Sequence, residues 1–374
     1  MATPEVVSPA STEEAADIVA STGDRAVLVR GAGTKLGWGL PPERLDLIID
    51  TSRLSGVVEH AAGDLITVVR AGTPLAGLDL PGQQLALDSP IPGATVGGTV
   101  ATNVSGPRRV LYGTARDLLI GITVVRPDGT VAHAGGKVVK NVAGYDLGKL
   151  FIGSYGTLGL ITECVFRLHP RPESAAVVRT VAPSVAEAGR LVSGVLAAQV
   201  VPSAIEVNAP PEDGAVEVAV LVEGSAPGVR DRATLLAKLL GDAVEGMPQW
   251  WGRLPFSDGD VGLKLTAPLS GVPSLLAAAR ETGAALTVRG SAGSGVLHAG
   301  LPDTAPHEAA RVVEYLRAAA TRAGGHLVVL TAPPAVRQVV DMWGPVGGLA
   351  LMRRVKDQFD PGHRFAPGRF VGGI

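Results

Sequence analysis

RGAGTKLGWG, residues 30–39, follows the apolar run Ala26-Val27-Leu28-Val29, so a buried strand leads straight into a glycine-rich turn. Glycines at such a turn let successive backbone N–H groups come close to an anion, which is how a phosphate-binding turn works. The spacing is Gly-x-Gly-x-x-x-Gly, and Trp38, Gly39, Pro41 and Pro42 come next. These residues cannot open the helix that a dinucleotide-binding βαβ unit places behind its glycines, so a nicotinamide-type fold is disfavoured. Taken alone, a glycine turn of this kind is more often structural than ligand-binding.

Outward from the turn, Ser11 and Glu14 have capping-box spacing, and Ala15, Ile18 and Val19 continue at helical spacing, which predicts a short amphipathic helix over 11–22. Residues 45–50 and 66–70 read as strands. Residues 89–106, SPIPGATVGGTVATNVSG, have neither a helical nor an alternating period and predict loop and short helix. A hairpin follows, with Ile122–Arg126 and Thr130–His133 joined at Asp128-Gly129. Pro170 and Pro172 close this half. From 176 to 335, Ala-rich helices near 184–198, 228–241, 272–281 and 305–323 are separated by strand runs near 203–208, 216–222, 284–289, 295–300 and 326–330. That alternation predicts an α+β lobe on an antiparallel sheet. The last forty residues hold Trp343-Gly344-Pro345, a helical run from Leu349 to Phe359, and DPGHRFAPGRF.

With 374 residues the chain predicts two lobes, each with its own core. A net charge of −2 without long basic or acidic runs argues against nucleic acid and anionic membrane surfaces. The single cysteine, Cys164, lies in the strand-like run 160–166 and rules out both a disulfide framework and an intrinsic iron–sulfur cluster in this chain. The 49 glycines, roughly twice average usage, have no collagen-like period and predict many tight turns. Without a signal-peptide pattern at the start or an apolar run of membrane-spanning length, a cytoplasmic protein is expected.

Three further segments accompany the first turn: PGATVGGTVATN (92–103), YGTARD (112–117) and KNVAGYDLGKLFIGSYGTLGLIT (140–162). Each is weak singly. In this order and at these intervals they resemble the flavin-binding half of the vanillyl-alcohol-oxidase superfamily, the p-cresol methylhydroxylase (PCMH) type. Within it the chain looks most like the FAD-binding E-type subunits of bacterial glycolate oxidase, relatives of the D-lactate and D-2-hydroxyacid dehydrogenases. The resemblance covers about Ser8 to Pro172, and FDPGHRFAPGR (359–369) is similar to the family's closing signature. It implies an α+β, two-subdomain PCMH-type FAD-binding fold over 1–175, an α+β cap lobe with antiparallel sheet over 176–335, and a C-terminal segment, 336–374, that returns to the FAD domain.

Residue by residue, the resemblance places Arg30, Gly31, Ala32, Gly33, Thr34 and Lys35 at the pyrophosphate, where Lys35 either adds positive charge or is a solvated side chain. Pro92, Gly93, Ala94, Thr95, Gly97, Gly98 and Thr99 match the segment lining the isoalloxazine. Asn103, Gly113 and Asp117 fall where family members continue the ring and ribitol or adenosine contacts, and Gly156, Gly159 and Ile161 where the backbone closes over the adenosine. Relatives that tether the flavin carry a histidine where this chain has Thr34, and His60 reads as an exposed turn residue, so non-covalent FAD is expected.

Catalytic relatives carry His-Ala-Gly-Asp-Gly-Asn-Leu-His in the cap lobe. Here the matching run, 291–298, has Ser291, Ser294 and Val296 in place of the first histidine, the aspartate and the asparagine, and keeps His298. A Gly-Glu-His-Gly signature expected after Gly324-Gly325 is replaced by His326-Leu327-Val328. One histidine does not make a metal site, so no metal is expected and no catalytic residue is assigned. A lone His298 reads as a satisfied structural residue, and Arg253, Lys264, Arg289 and Arg353 as surface charge. The implied function is an FAD-carrying, electron-relaying subunit of a complex in which a sister FAD subunit oxidises glycolate to glyoxylate and an iron–sulfur subunit takes the electrons onward. Any membrane attachment would be made through those partners. A self-sufficient FAD-dependent 2-hydroxyacid dehydrogenase and a flavin-free assembly scaffold are the alternatives.

Overall fold

Short β-branched runs build the first layer of the structure, a computed structural model that describes residues 3–137, 145–211 and 214–374. Strands β1 (Glu5–Val7), β2 (Val27–Arg30) and β3 (Leu47–Asp50) lie parallel in the order β1-β3-β2. Helix α1 (Thr12–Ala20) starts where Ser11 Oγ accepts the Glu14 amide at 3.1 Å, and it buries Ala15 and Val19 with Val27, Leu47 and Ile49 of the strands. The second layer is antiparallel, in the order β4-β5-β9-β7-β8, from β4 (Val57–Ala61), β5 (Ile66–Arg70), β7 (Leu119–Val125), β8 (Val131–Gly135) and β9 (Leu160–Arg167). A two-residue pair, β6 (Gln83–Gln84) with β10 (His169–Pro170), stands beside it. The hairpin β7–β8 turns at Asp128-Gly129, where Gly129 takes φ +83°, a conformation open to glycine at little cost. Between strands come α2 (Val96–Thr102), α3 (Arg109–Tyr112), α4 (Ala115–Leu118) and α5 (Gly148–Phe151).

Two compact units result. Unit 1 is 1–105, 113–171 and 345–374, and unit 2 is 106–112 and 172–344. The short segment carrying α3 lies within the sequence of the first half yet packs on a strand of unit 2, an exchange no local pattern announces. Unit 2 is an eight-stranded antiparallel sheet in the order β14-β11-β13-β12-β16-β17-β15-β18. Its strands are β11 (Ser174–Ala182), β12 (Ala204–Ala209), β13 (Val216–Gly224), β14 (Val244–Glu245), β15 (Val261–Thr266), β16 (Thr287–Ser291), β17 (Val296–Leu301) and β18 (His326–Thr331). Helices α6 (Val185–Ala197), α7 (Ala226–Leu240), α8 (Val272–Glu281), α9 (Pro306–Arg322) and α10 (Pro334–Arg337) complete the unit, and the apolar stripes of α6 to α9 are buried. The chain then forms α11 (Leu349–Phe359) and rejoins unit 1, where Val355 and Phe359 pack on its core and the Phe359 ring meets Phe151 edge-on at 5.7 Å.

Three local expectations change. Strand β11 lies in a stretch without a strand reading, although Val177, Val178, Thr180 and Val181 favour one; it pairs with β13 along nine positions. Strand β16 begins at Thr287 and not near 284, because Gly283, at φ +68°, turns the chain first. His60 is not an exposed turn residue: it sits in β4, part-buried, with Nε2 2.9 Å from Gln83 Oε1. Among the described residues no helix is long and apolar enough to cross a membrane.

Candidate functional site

Strand β2 ends at Arg30, whose guanidinium is held by Asp50, its register partner on β3, through Nη2–Oδ2 at 2.6 Å and Nε–Oδ2 at 3.0 Å. The chain then passes so close to Thr95 that a Cβ on Gly31 would lie 2.3 Å from Thr95 Oγ1, and Gly33 takes φ +76°. The turn closes with the Leu36 amide donating to Gly33 O at 3.1 Å. The amides of Ala32, Gly33, Thr34 and Lys35 donate to no backbone carbonyl among the described residues. By contrast, the first-turn amides of α2 are already engaged: Val96 donates to Thr73 O, Gly97 to Ala71 O, Gly98 to Thr95 Oγ1. The unengaged donors therefore lie in the loop, as a nest of successive N–H groups, and not at the helix terminus.

Lys35 adds charge to that nest. It is 7% exposed, with Nζ 3.2 Å from Thr34 Oγ1 and no carboxylate partner among the described residues. Burial draws its ammonium down to about 8. An unpaired buried cation beside unengaged amides fits a bound anion, and a pyrophosphate would satisfy both.

The loop forms one wall of a cleft. Of the residues expected to meet the cofactor, Arg30, Gly31, Ala32, Gly33, Thr34, Lys35, Thr95, Gly97, Gly98, Gly156, Gly159 and Ile161 line it. Gly97 is needed for close packing, since its Cβ would lie 2.7 Å from Ala71 Cβ, whereas a Cβ on Gly156 would meet open space. Gly93 lines an adjoining recess with Asp50 and Gly72, and Pro92 is exposed next to it. Ala94 and Thr99 are buried behind the wall, Thr99 Oγ1 donating to Thr95 O at 2.8 Å. Asn103 caps α2 in the left-handed region, and its Oδ1 is buried without a hydrogen bond among the described residues. Gly113 and Asp117 stand at the start of α4, where the Asp117 carboxylate accepts from the Thr114 amide at 2.8 Å and Thr114 Oγ1 at 3.0 Å. Residues 140–144 of the fourth quoted segment lie outside the described residues.

Among the cleft-lining residues to which sequence reasoning assigned no role are Arg369 and Tyr155. Arg369, 4% exposed, donates through Nη2 to Lys35 O at 2.9 Å and Leu36 O at 3.3 Å, so the C-terminal segment grips the back of the loop. Tyr155 adopts φ +55°, and burial pushes its phenol up to about 12 against the opposing pull of Arg369. APGRF stood out at the C-terminus, but no spacing says that residue 369 returns to residue 35.

In unit 2, His298 is neither satisfied nor alone. Its ring makes no hydrogen bond among the described residues, and burial together with the Lys264 and Arg109 charges pushes it down to about 3. Lys264 is half-buried and drawn down to about 8, by burial first and Arg109 second. Arg289 stacks over Trp250 at 5.7 Å. The surface-charge reading therefore fails for Lys264 and Arg289. Among the described residues no group of three or more His, Cys, Asp or Glu is placed to hold a metal ion.

A parallel layer, an antiparallel layer and a glycine loop with a buried cation define the class. Residues 4–135, about a third of the chain, match the FAD binding domain family, which supports a PCMH-type fold and FAD as the cofactor. The chain is 32% identical over 208 residues to glycolate oxidase subunit GlcD of Bacillus subtilis, covering 54% of this chain and 44% of that one. It is 38% identical over 159 residues to glycolate oxidase subunit GlcE of Escherichia coli, covering 41% and 45%. An uncharacterized FAD-linked oxidoreductase of Mycobacterium tuberculosis aligns over 97% of this chain and 90% of its own length at 28% identity. This chain thus spans under half the length of either glycolate oxidase subunit it matches. Solved alkyldihydroxyacetonephosphate synthase shares the fold, with a TM-score of 0.71 at 18% identity over 97% of this chain and 76% of that one.

Proposed function

We propose that this chain is an FAD-dependent oxidoreductase subunit that holds FAD non-covalently in the unit-1 cleft and relays electrons within a glycolate-oxidase-type assembly. Bound FAD would supply reversible two-electron chemistry. The chain's own groups would bind and orient it: amides 32–35 and Lys35 neutralise the pyrophosphate, and Arg369 holds the loop from behind. Thr34 occupies the tethering position, and the described cleft lining contains neither histidine nor cysteine, which supports dissociable FAD.

The relay reading rests on the setting of His298. A divalent ion beside it would meet the like charges of Arg109 and Lys264, so the site opposes the metal that relatives with the complete motif would hold there. A sister flavoprotein would then oxidise glycolate to glyoxylate. An iron–sulfur subunit would receive the electrons, because the lone Cys164 of these 374 residues is buried in β9 and cannot ligate a cluster. The likeness to both glycolate oxidase subunits supports this pairing. Purification from the native host should give a flavin spectrum and, by mass spectrometry, a second flavoprotein and an iron–sulfur protein. Anaerobic bleaching of the isolated chain by glycolate or D-lactate would instead establish a self-sufficient dehydrogenase, and a colourless protein would defeat both readings.

A further inference from the structure

The glycine loop borders two hollows. Residues 30–33, with Leu36 and Thr95, line both the cleft and the adjoining recess, so the recess continues the cleft past the loop. Arg30 and Asp50 are the last residues of the parallel strands β2 and β3, and Ser52 and Ser55, which also line the recess, follow directly on β3. The recess therefore lies outside the carboxyl ends of parallel strands, where ligands of open α/β sheets bind.

Its charge and its unused hydrogen-bonding groups set what it can take. Lys35 lines the cleft without a carboxylate partner, but the recess is balanced, because Arg30 and Asp50 form an ion pair at 2.6 Å. Burial pulls the Asp50 carboxyl upward, yet the bonds from Ser52 and Arg30 outweigh it and hold the group below its usual range. The pair is thus ionised and without net charge at neutral pH. Asp50 Oδ2 accepts from Arg30 Nε and Nη2, while Oδ1 accepts only the Ser52 amide, at 2.9 Å, and keeps a lone pair free. Arg30 Nη1 and the Ser52 and Ser55 hydroxyls make no hydrogen bond among the described residues. Such a lining has no net charge to draw a second anion and too many open polar groups to suit an apolar ring. It matches a neutral polyol, whose hydroxyls each donate and accept.

We propose that Asp50, Ser52 and Ser55, with Arg30 held in place by Asp50, form the site for the ribityl chain of FAD. The inference rests on the reading that FAD occupies the cleft. On that reading the pyrophosphate lies at 30–35 and the flavin ring at 92–99, and the ribityl chain is the polyol that joins them. Gly93 and Thr95 line the recess together with the loop, so the recess lies where the two segments meet. The ribose of the adenosine is the other polyol of the cofactor, but the residues read as closing over it, Gly156, Gly159 and Ile161, line the cleft. Asp117 spends its carboxylate on Thr114 and is not among the described residues that line either hollow.

Titration of the apoprotein with FAD and with its 2′-, 3′- and 4′-deoxyribityl analogues, followed by flavin fluorescence, tests the site. In the parent protein at least one analogue should bind about tenfold or more weakly than FAD, as for a lost hydrogen bond to a charged group. That penalty should shrink to about threefold or less in Ser52→Ala, Ser55→Ala or Asp50→Asn, because the partner is already gone. Any effect of deoxygenation on the free analogue is the same for every protein and cancels in the comparison. Asp50→Asn also releases Arg30, whereas both serines are exposed and their hydroxyls bond nothing among the described residues, so the alanine variants should keep the parent melting temperature. Analogues that all bind as tightly as FAD, or a penalty undiminished in all three variants, overturn the site. Parent apoprotein that binds neither FAD nor any analogue defeats the cofactor reading, and the site with it.

Discussion

Lys35 links the chemistry of the cleft to pH. Its ammonium lies at about 8 when nothing neutralises it, and a pyrophosphate beside it favours the protonated form and raises that value. FAD affinity should therefore be flat below pH 8 and fall above it by up to about tenfold per pH unit. Fluorescence titration of the apoprotein between pH 6.5 and 9.5 measures this, and Lys35→Gln should bind more weakly and lose the pH dependence; a parallel slope in that variant would remove Lys35 from the account. Gly31 is constrained sterically. Gly31→Ala drives a methyl group to 2.3 Å from Thr95 Oγ1 and should destabilise the protein by about 1–3 kcal/mol. In a Thr95→Ala background the same change should cost clearly less, which a double-mutant cycle by denaturant unfolding reads directly.

Helix α11 acts as the bolt that brings Arg369 to the loop. Lys356 on it is fully buried and donates to Asp360 Oδ2 at 2.7 Å, Thr157 O at 2.7 Å and Phe365 O at 2.9 Å, and Asp360 also accepts the Phe365 amide at 2.8 Å. Burial draws Lys356 below its usual range while Asp360 opposes the shift. From there Val27 donates to Arg364 O and Ala366 to Val27 O, both at 2.8 Å, so the tail runs along the strand that leads into the glycine loop. Asp360→Ala leaves a buried ammonium without its countercharge and should cost about 3–5 kcal/mol. Limited proteolysis should then cut within 345–374, and FAD should dissociate faster; retention of FAD at wild-type rate would show that the tail does not shape the loop.

Across the whole molecule, cofactor and charge are distributed between two units whose sequences are interleaved. Acid precipitation should leave the flavin in the supernatant, and a denaturing gel should show no fluorescent band, because Thr34 offers no tethering nitrogen; a fluorescent band would contradict this. Much of the architecture was legible in local pattern. The turn 30–35, the Asp128-Gly129 hairpin and the helices of unit 2 follow from glycine conformations, turn chemistry and apolar period, all short-range physics. Strand β11 was not read, because its valines and threonine are interspersed with alanine and lack a clean two-residue alternation, although they favour the strand that pairing with β13 completes. Nor was the transfer of 106–112 to unit 2, the return of Arg369 to Lys35, or the meeting of Arg109, Lys264 and His298, which stand far apart in the chain. By itself the sequence determined where backbone could turn tightly, and its resemblance to the flavin family implied that Thr34 stands where relatives carry the tethering histidine. Only the tertiary structure decided which amides stay unengaged and which cations are buried without partners, because desolvation and charge proximity depend on the packed chain and on no stretch of it alone.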